Sequence, residues 1–274
     1  MSEPIPREAR AYYDKGREAE RLFGGHGVIE LARTQEIILR HLSPPPGTVL
    51  DVGGGSGVYA CWLASLGYRV HLIDAMPLHV EQAEAASARQ PEAPLASCRL
   101  GDARRLDEPD ASAEAVLLLG PLYHLTDRAE RIQALREAVR VLKPGGLLVA
   151  AAVGRFASLL DGIVDNLLAD PDYAAIVARD LRDGQHRNAT ERNYFTTAFF
   201  HLPRELEDEV REAGFERVEI LGLEGPGWML ADLEARWADP ARRRHILDAA
   251  RAVEREPTLM GLHAHILAVG RKPT

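Results

Sequence analysis

The sequence predicts an α/β protein, a mostly parallel sheet with helices on both faces, and three observations lead there. Short apolar runs rich in Val, Leu and Ile recur at Thr48–Val52, Arg69–Ile73, Ser97–Leu100, Ala115–Leu119 and Leu147–Ala151. Segments of helical length and period separate most of them, and strands that alternate with helices pair in parallel under a helical cover. The first run feeds straight into a glycine-rich turn, Gly53-Gly54-Gly55-Ser56-Gly57.

Taken in order, Pro6 to Leu42 reads as helices broken at Gly24-Gly25-His26-Gly27, with Ile29, Leu31, Ile37, Ile38 and Leu42 as an apolar stripe. Ser43-Pro44-Pro45-Pro46-Gly47 stops the last of these helices, because consecutive prolines remove donors and disfavour helical backbone before them. Residues 1–44 are therefore expected to form a helical cap ahead of the main domain, 45–274. Between the fourth and fifth runs, Asp127 to Leu142 places Ile132, Leu135, Val139 and Leu142 on one face. Asp127 with Glu130 resembles a capping box, and Lys143-Pro144-Gly145-Gly146 ends the helix. Beyond the fifth run, Phe156 to Phe200 shows no convincing strand. It is expected to be a helical insertion, about 155–202, lying over the carboxyl ends of the strands, where α/β sheets bind ligands. Strand-like runs return at Arg217–Gly222 and His263–Val269.

The composition narrows the function. A chain of 274 residues with 46% apolar and 27% charged residues suits a folded globular protein. No apolar run reaches the roughly 20 residues of a membrane-spanning helix. Met1 to Arg10 is polar, which does not read as a secretory signal, so a cytoplasmic location is expected. Cys61 and Cys98 make neither a disulfide framework nor a zinc pattern; no metal is expected, and both read as small buried residues. The net charge of −8, with Arg242-Arg243-Arg244 as the one dense basic run, argues against a nucleic-acid partner. That run reads as a solvated helix face.

The glycine turn carries the first chemistry. Glycines at 53, 55 and 57 let the backbone turn sharply and approach a ligand with no Cβ in the way. The dinucleotide fingerprint G-x-G-x-x-G would need a third glycine where Val58 stands, which argues against a nicotinamide-dependent oxidoreductase. Asp74 ends the second run, where a carboxylate can accept from ribose hydroxyls. Asp102, beside Gly101 at the end of the third, can accept from an adenine amino group.

Leu50-Asp51-Val52-Gly53-Gly54-Gly55-Ser56-Gly57 resembles the first motif of class I S-adenosylmethionine-dependent methyltransferases of the small-molecule type. Asp74, Gly101-Asp102-Ala103 and Leu142-Lys143-Pro144-Gly145-Gly146 match three further motifs of that family in order, over roughly residues 45 to 151. The resemblance implies a Rossmann-like sheet of seven strands with the last antiparallel, which His263–Val269 would supply. It implies S-adenosylmethionine as cofactor and S-adenosylhomocysteine as product. Asp51, Gly53, Gly55 and Gly57 would lie near the methionine portion, and Met76 would pack on the adenine beside Asp102 and Ala103. Leu119 would offer its backbone to the amino group. Arg33 is similar in placement to arginines that pair with the cofactor carboxylate, or is an exposed helix charge; Tyr13 is a candidate of the same kind.

Methyl transfer is an in-line displacement on an electrophile that the cofactor has already activated, so the protein mainly aligns the acceptor and excludes water. Gly120-Pro121-Leu122-Tyr123-His124 follows the fourth strand and would border the reacting methyl. His124 is the first choice for a base, or else lines the cavity; Tyr123 would shape it or hydrogen-bond the acceptor. Gly120-Pro121-Leu122-Tyr123 lacks the Asn/Asp-Pro-Pro-Tyr pattern of DNA amino-methyltransferases. Tyr12, His186, Tyr194, Phe195 and His201 lie in segments that could cover the site. A small organic acceptor is expected, with O- or N-methylation. A peptide or protein acceptor, or a non-catalytic cofactor-binding protein, stand as the alternatives.

Overall fold

The computed structural model describes residues 5–16, 18–188, 190, 192 and 194–274; Met1 to Pro4 of the polar start lie outside them. Three helices come first, α1 (Arg7–Tyr13), α2 (Glu18–Arg21) and α3 (Gly27–His41), broken at the glycines as expected. Then β1 (Thr48–Val52), α4 (Val58–Ser65), β2 (Arg69–Asp74), α5 (Pro77–Ala88), β3 (Ser97–Leu100) and β4 (Ala113–Leu118) alternate. After β4 come α6 (Pro121–His124), α7 (Arg128–Val141) and β5 (Leu142–Gly154). The Asp127 side chain caps α7 by accepting from the backbone N–H groups of Ala129 and Glu130.

The main sheet runs in the order β3, β2, β1, β4, β5, with every pair parallel. Odd and even residues of each buried strand face opposite layers. Val49, Leu117, Leu147 and Val149 pack beneath α3, α4 and α5, while Leu50, Val116, Leu148 and Ala150 pack beneath α7 and a later helix. This two-faced burial explains why these strands read as unbroken apolar runs.

The segment after β5 holds α8 (Ala157–Val164) and α9 (Pro171–Asp183), then β6 (Gln185–His186) and β7 (Ala198–His201). The chain closes with α10 (Pro203–Glu212), β8 (Glu216–Gly222), α11 (Leu233–Ala238), α12 (Pro240–Val253) and β9 (His265–Arg271). β9 lies antiparallel between β5 and β8, completing the seven strands expected. The described sheet nevertheless has nine strands, because β6 and β7 form a hairpin and β7 pairs with Val153 and Gly154 at the tip of β5. The insertion is thus not wholly helical. Ala198-Phe199-Phe200-His201 is buried and extends the ladder of β5 on the edge where β4 has ended at Ala150, so context overrides a weak local signal. Arg242, Arg243 and Arg244 are exposed on α12, and Cys61 and Cys98 are free and half-buried rather than buried. No helix among the described residues is long and apolar enough to cross a membrane.

Candidate active site

The strand order reverses between β1 and β4, and their carboxyl ends diverge there to open a crevice. A cavity fills it. Its floor is Asp51 to Ser56, and its sides are Asp74 to Met76, Gly101 to Ala103 and Leu119 to Leu125. Gly53 has φ +72°, and a Cβ there would meet the Pro121 ring at 2.5 Å, so only glycine lets the two strand ends approach so closely. The roof is the N-terminal segment, which contributes Ile5, Tyr13, Glu18, Arg21, Leu22 and Glu30.

Asp74 is fixed over the turn. Its Oδ2 accepts from the Gly55 backbone N–H (2.9 Å), while Oδ1 accepts from that of Met76 (2.8 Å) and faces His79 Nδ1 (3.1 Å). Asp51 is fully buried, and neither carboxylate oxygen has a hydrogen-bond partner among the described residues. Burial, and then the nearby Asp74, push its pKa up to about 7. A buried carboxyl in this state is poised for a cationic ligand. Asp102 reaches the cavity edge, with Oδ2 held by Arg104 at 2.7 Å.

His124 is buried and uses both ring nitrogens. Nδ1 lies 3.3 Å from the Thr197 carbonyl and Nε2 lies 2.6 Å from the Tyr13 hydroxyl. A carbonyl only accepts, so Nδ1 carries the proton and Tyr13 donates to the Nε2 lone pair. Burial lowers the His124 pKa to about 4 and raises that of Tyr13, which keeps both neutral. The expected base thus has its lone pair engaged by the Tyr13 hydroxyl in this ligand-free geometry.

Tyr13, Met76, Ala103, Leu119, Gly53, Gly55 and Tyr123 line the cavity with Asp51, Asp74 and Asp102. Two expected residues do not. Gly57, at φ +87°, abuts Ala83, where a Cβ would come within 3.2 Å, so its work is helix packing. Arg33 is fully buried against Glu36 (2.6 Å) and Glu254, away from the cavity. The guanidinium that does reach the cavity is Arg21. It forks onto Glu30 at 2.6 and 3.0 Å and donates through Nε to Glu18 at 2.9 Å. Burial opposes the charge of Glu30, yet Arg21 and His265 bring its pKa down to about 2. Sequence reasoning missed Arg21, Glu30 and His79. A signal existed for Glu30, which interrupts the buried stripe of α3 one residue after Ile29.

A second cavity, of about 340 Å³, adjoins the first beneath α8, α9 and the β6–β7 hairpin. His186, Tyr194 and Phe195 line it as expected, joined by His26, Asp161, Tyr173, Trp228 and His265. Tyr12 packs edge-on to Phe195 (5.6 Å), and His201 is buried against Glu209 (3.3 Å); neither lines either cavity. The partition between the cavities is thin. Phe195 lies 6.3 Å from Tyr123 and 6.0 Å from His124 between ring centroids, and His265 Nδ1 lies 3.6 Å from Glu30 Oε2.

A family model described as a methyltransferase domain matches residues 50–150, which carry the floor and both sides of the first cavity. The chain is a class I S-adenosylmethionine-dependent methyltransferase. It is 29% identical over 220 residues to the ubiquinone/menaquinone biosynthesis C-methyltransferase of Caulobacter vibrioides, covering 74% of this chain and 81% of that one. It is 27% identical to the 27-O-demethylrifamycin SV methyltransferase of Amycolatopsis mediterranei across the full length of both. Among solved structures, the Haemonchus contortus phosphoethanolamine N-methyltransferase 2 with S-adenosyl-L-methionine shares the fold at TM-score 0.61 and 16% identity, covering 98% of this chain and 61% of that one.

The first cavity of this methyltransferase fits that cofactor. The unpartnered Asp51 carboxyl answers a cationic methionine portion, the Gly53–Ser56 turn brings backbone within reach, and Asp74 is set at the strand end that serves ribose hydroxyls. The bound cofactor supplies a methyl group on positively charged sulfur. What the methyltransferase itself must do is hold an acceptor in line and keep water out.

Proposed function

We propose that the enzyme methylates a small organic acceptor, on oxygen or nitrogen, that binds in the second cavity. The observation that carries this reading is the shared partition: an aromatic-rich chamber meets the cofactor cavity at Tyr123, His124 and Phe195. A concave, aromatic-lined site of about 340 Å³ under α8, α9 and the hairpin suits a small molecule better than an extended peptide or nucleic-acid strand. In this reading residues 155–202 are the lid, residues 1–44 are the cap over the cofactor, and the protein works in the cytoplasm. Tyr123, His124 and Tyr13 form the wall against which the acceptor meets the methyl group.

The test is methyl transfer from labelled S-adenosylmethionine to a panel of 1,4-naphthohydroquinone, catechol, 4-methylumbelliferone and tyramine, repeated with Phe195→Ala and Trp228→Ala. The expected result is turnover whose acceptor KM rises in both variants while S-adenosylhomocysteine affinity stays unchanged. Turnover with an unchanged KM in both would place the acceptor elsewhere.

A further inference from the structure

Three histidines line the second cavity, and their nitrogens are used differently. His186 has Nδ1 2.8 Å from Asp180 Oδ2 and Nε2 3.3 Å from the Phe195 carbonyl, so both are taken. His26 stands exposed at the rim, edge-on to Trp228 at 6.0 Å, and no described carboxylate pairs with it. His265 differs from both. Its Nδ1 lies 2.6 Å from Glu224 Oε1, and the other oxygen of Glu224 accepts from the backbone N–H of His265 itself at 3.1 Å. Glu224 is fully buried, and these two bonds fix the plane of the imidazole. Nε2 makes no hydrogen bond to a described residue, and the ring, with 18% of its side chain exposed, faces the cavity.

Place matters as much as orientation. His265 opens β9 opposite Val153, at the carboxyl end of β5, and stands against Glu30 of the cofactor cavity. Its ring is therefore in the partition that both ligands would touch. Because Glu224 only accepts, the neutral ring keeps its proton on Nδ1 and presents a lone pair from Nε2. This is the arrangement by which a buried carboxylate orients a histidine base.

We propose that His265 is the general base that takes the acceptor's proton during methyl transfer, with Glu224 as its positioning residue; this rests on the second cavity being the acceptor site. The acceptor oxygen or nitrogen forms its bond to the methyl carbon as its proton passes to Nε2. The carbon–sulfur bond breaks with its electron pair left on sulfur, giving a neutral thioether, and the imidazolium later returns its proton to water. Burial opposes the charged ring, while Glu30 and Glu224 outweigh it and raise the pKa; Arg21, behind Glu30, opposes them. His26, Asp161 and His186 are the other titratable groups around that face of the ring, with the phenols of Tyr173 and Tyr194. The base is active only when unprotonated, so kcat rises with pH as the ring in the complex loses its proton.

The experiment has two arms on the full-length protein. Histidine-labelled nitrogen NMR with bound S-adenosylhomocysteine reads His265 without any acceptor. The expected signal is an Nδ1–H tautomer with a midpoint above 6.5 that falls in Glu224→Gln. An Nε2–H tautomer, or a ring that does not titrate, overturns the proposal. Kinetics with the best substrate of the acceptor panel then read the chemistry. His265→Gln is expected to lower kcat about 100-fold or more and to abolish the rising limb, with acceptor KM little changed. A normal limb in His265→Gln sinks the base alone, whereas no turnover with any panel member sinks the acceptor reading and leaves the tautomer to be judged by NMR.

Discussion

The Tyr13 hydroxyl donates to His124 Nε2 across 2.6 Å, joining a helix near the start of the chain to the short helix after β4. This bond closes one side of the cofactor cavity, between two rings that burial keeps neutral. Tyr13→Phe keeps the aromatic packing against His79 and His124 but strands a buried acceptor. The expected cost is about 1–3 kcal/mol of stability, read in urea unfolding without ligand. A variant as stable as the parent would mean that the bond is not formed in solution.

Asp74 offers a second test. It spends its oxygens on the Gly55 and Met76 backbone and still faces the cavity, so its removal loosens the turn and takes away the carboxylate proposed to meet the ribose. Asp74→Ala should weaken S-adenosylhomocysteine binding about 10- to 100-fold, the range for losing hydrogen bonds to a charged group. Calorimetric titration decides it, and an unchanged Kd would remove Asp74 from the ribose role.

Asp51 predicts a pH dependence. Its carboxyl in the free protein titrates at about 7, raised from the usual carboxylate range. A raised carboxylate destabilises the fold as pH climbs, because the unfolded chain ionises first; the loss accrues from about 4 to 7 and is complete above 7. A cationic ligand beside Asp51 favours the ionised form, so binding below pH 7 must release a proton. S-Adenosylhomocysteine affinity should therefore climb from pH 5.5 to 7 and level off above. In Asp51→Asn the slope should vanish, while the ligand-free protein gains stability at pH 8.

Arg33 supplies a prediction about stability alone. It is fully buried, and Glu254 is its deeper partner, shared with Arg40. Glu254→Ala leaves Arg33 with only Glu36, and breaking a buried pair in this way typically costs about 3–5 kcal/mol. Cofactor affinity at the remaining folded fraction should not change. A parallel loss of affinity would return Arg33 to the site.

Legibility in the sequence followed the physics of each part. β1 could be read to the residue because it is short, apolar and bounded by turn chemistry, β3 because it ends at Gly101-Asp102, and the α7 cap was visible in Asp127. The floor of the cofactor cavity was legible because its glycines and acids are consecutive or sit at strand ends. Its roof was not, since Arg21 and Glu30 meet only after α2 and α3 fold back over the turn. The β6–β7 hairpin was hidden for the same reason: its ladder partner, the tip of β5, is more than 40 residues earlier in the chain than β7. Glu224 and His265 approach through β8 and β9, and nothing local in either segment announces the pair.

Glu30 lines the cofactor cavity, where it grips Arg21, and stands 3.6 Å from His265, which lines the second. A single carboxylate so shared makes the two binding events thermodynamically reciprocal. Whatever factor the arriving cation in one chamber imposes on the proton affinity of His265, protonation of His265 must impose on the cation in return. Arg21 already grips that carboxylate, so the strength of its hold sets how much of the charge is left for the imidazolium.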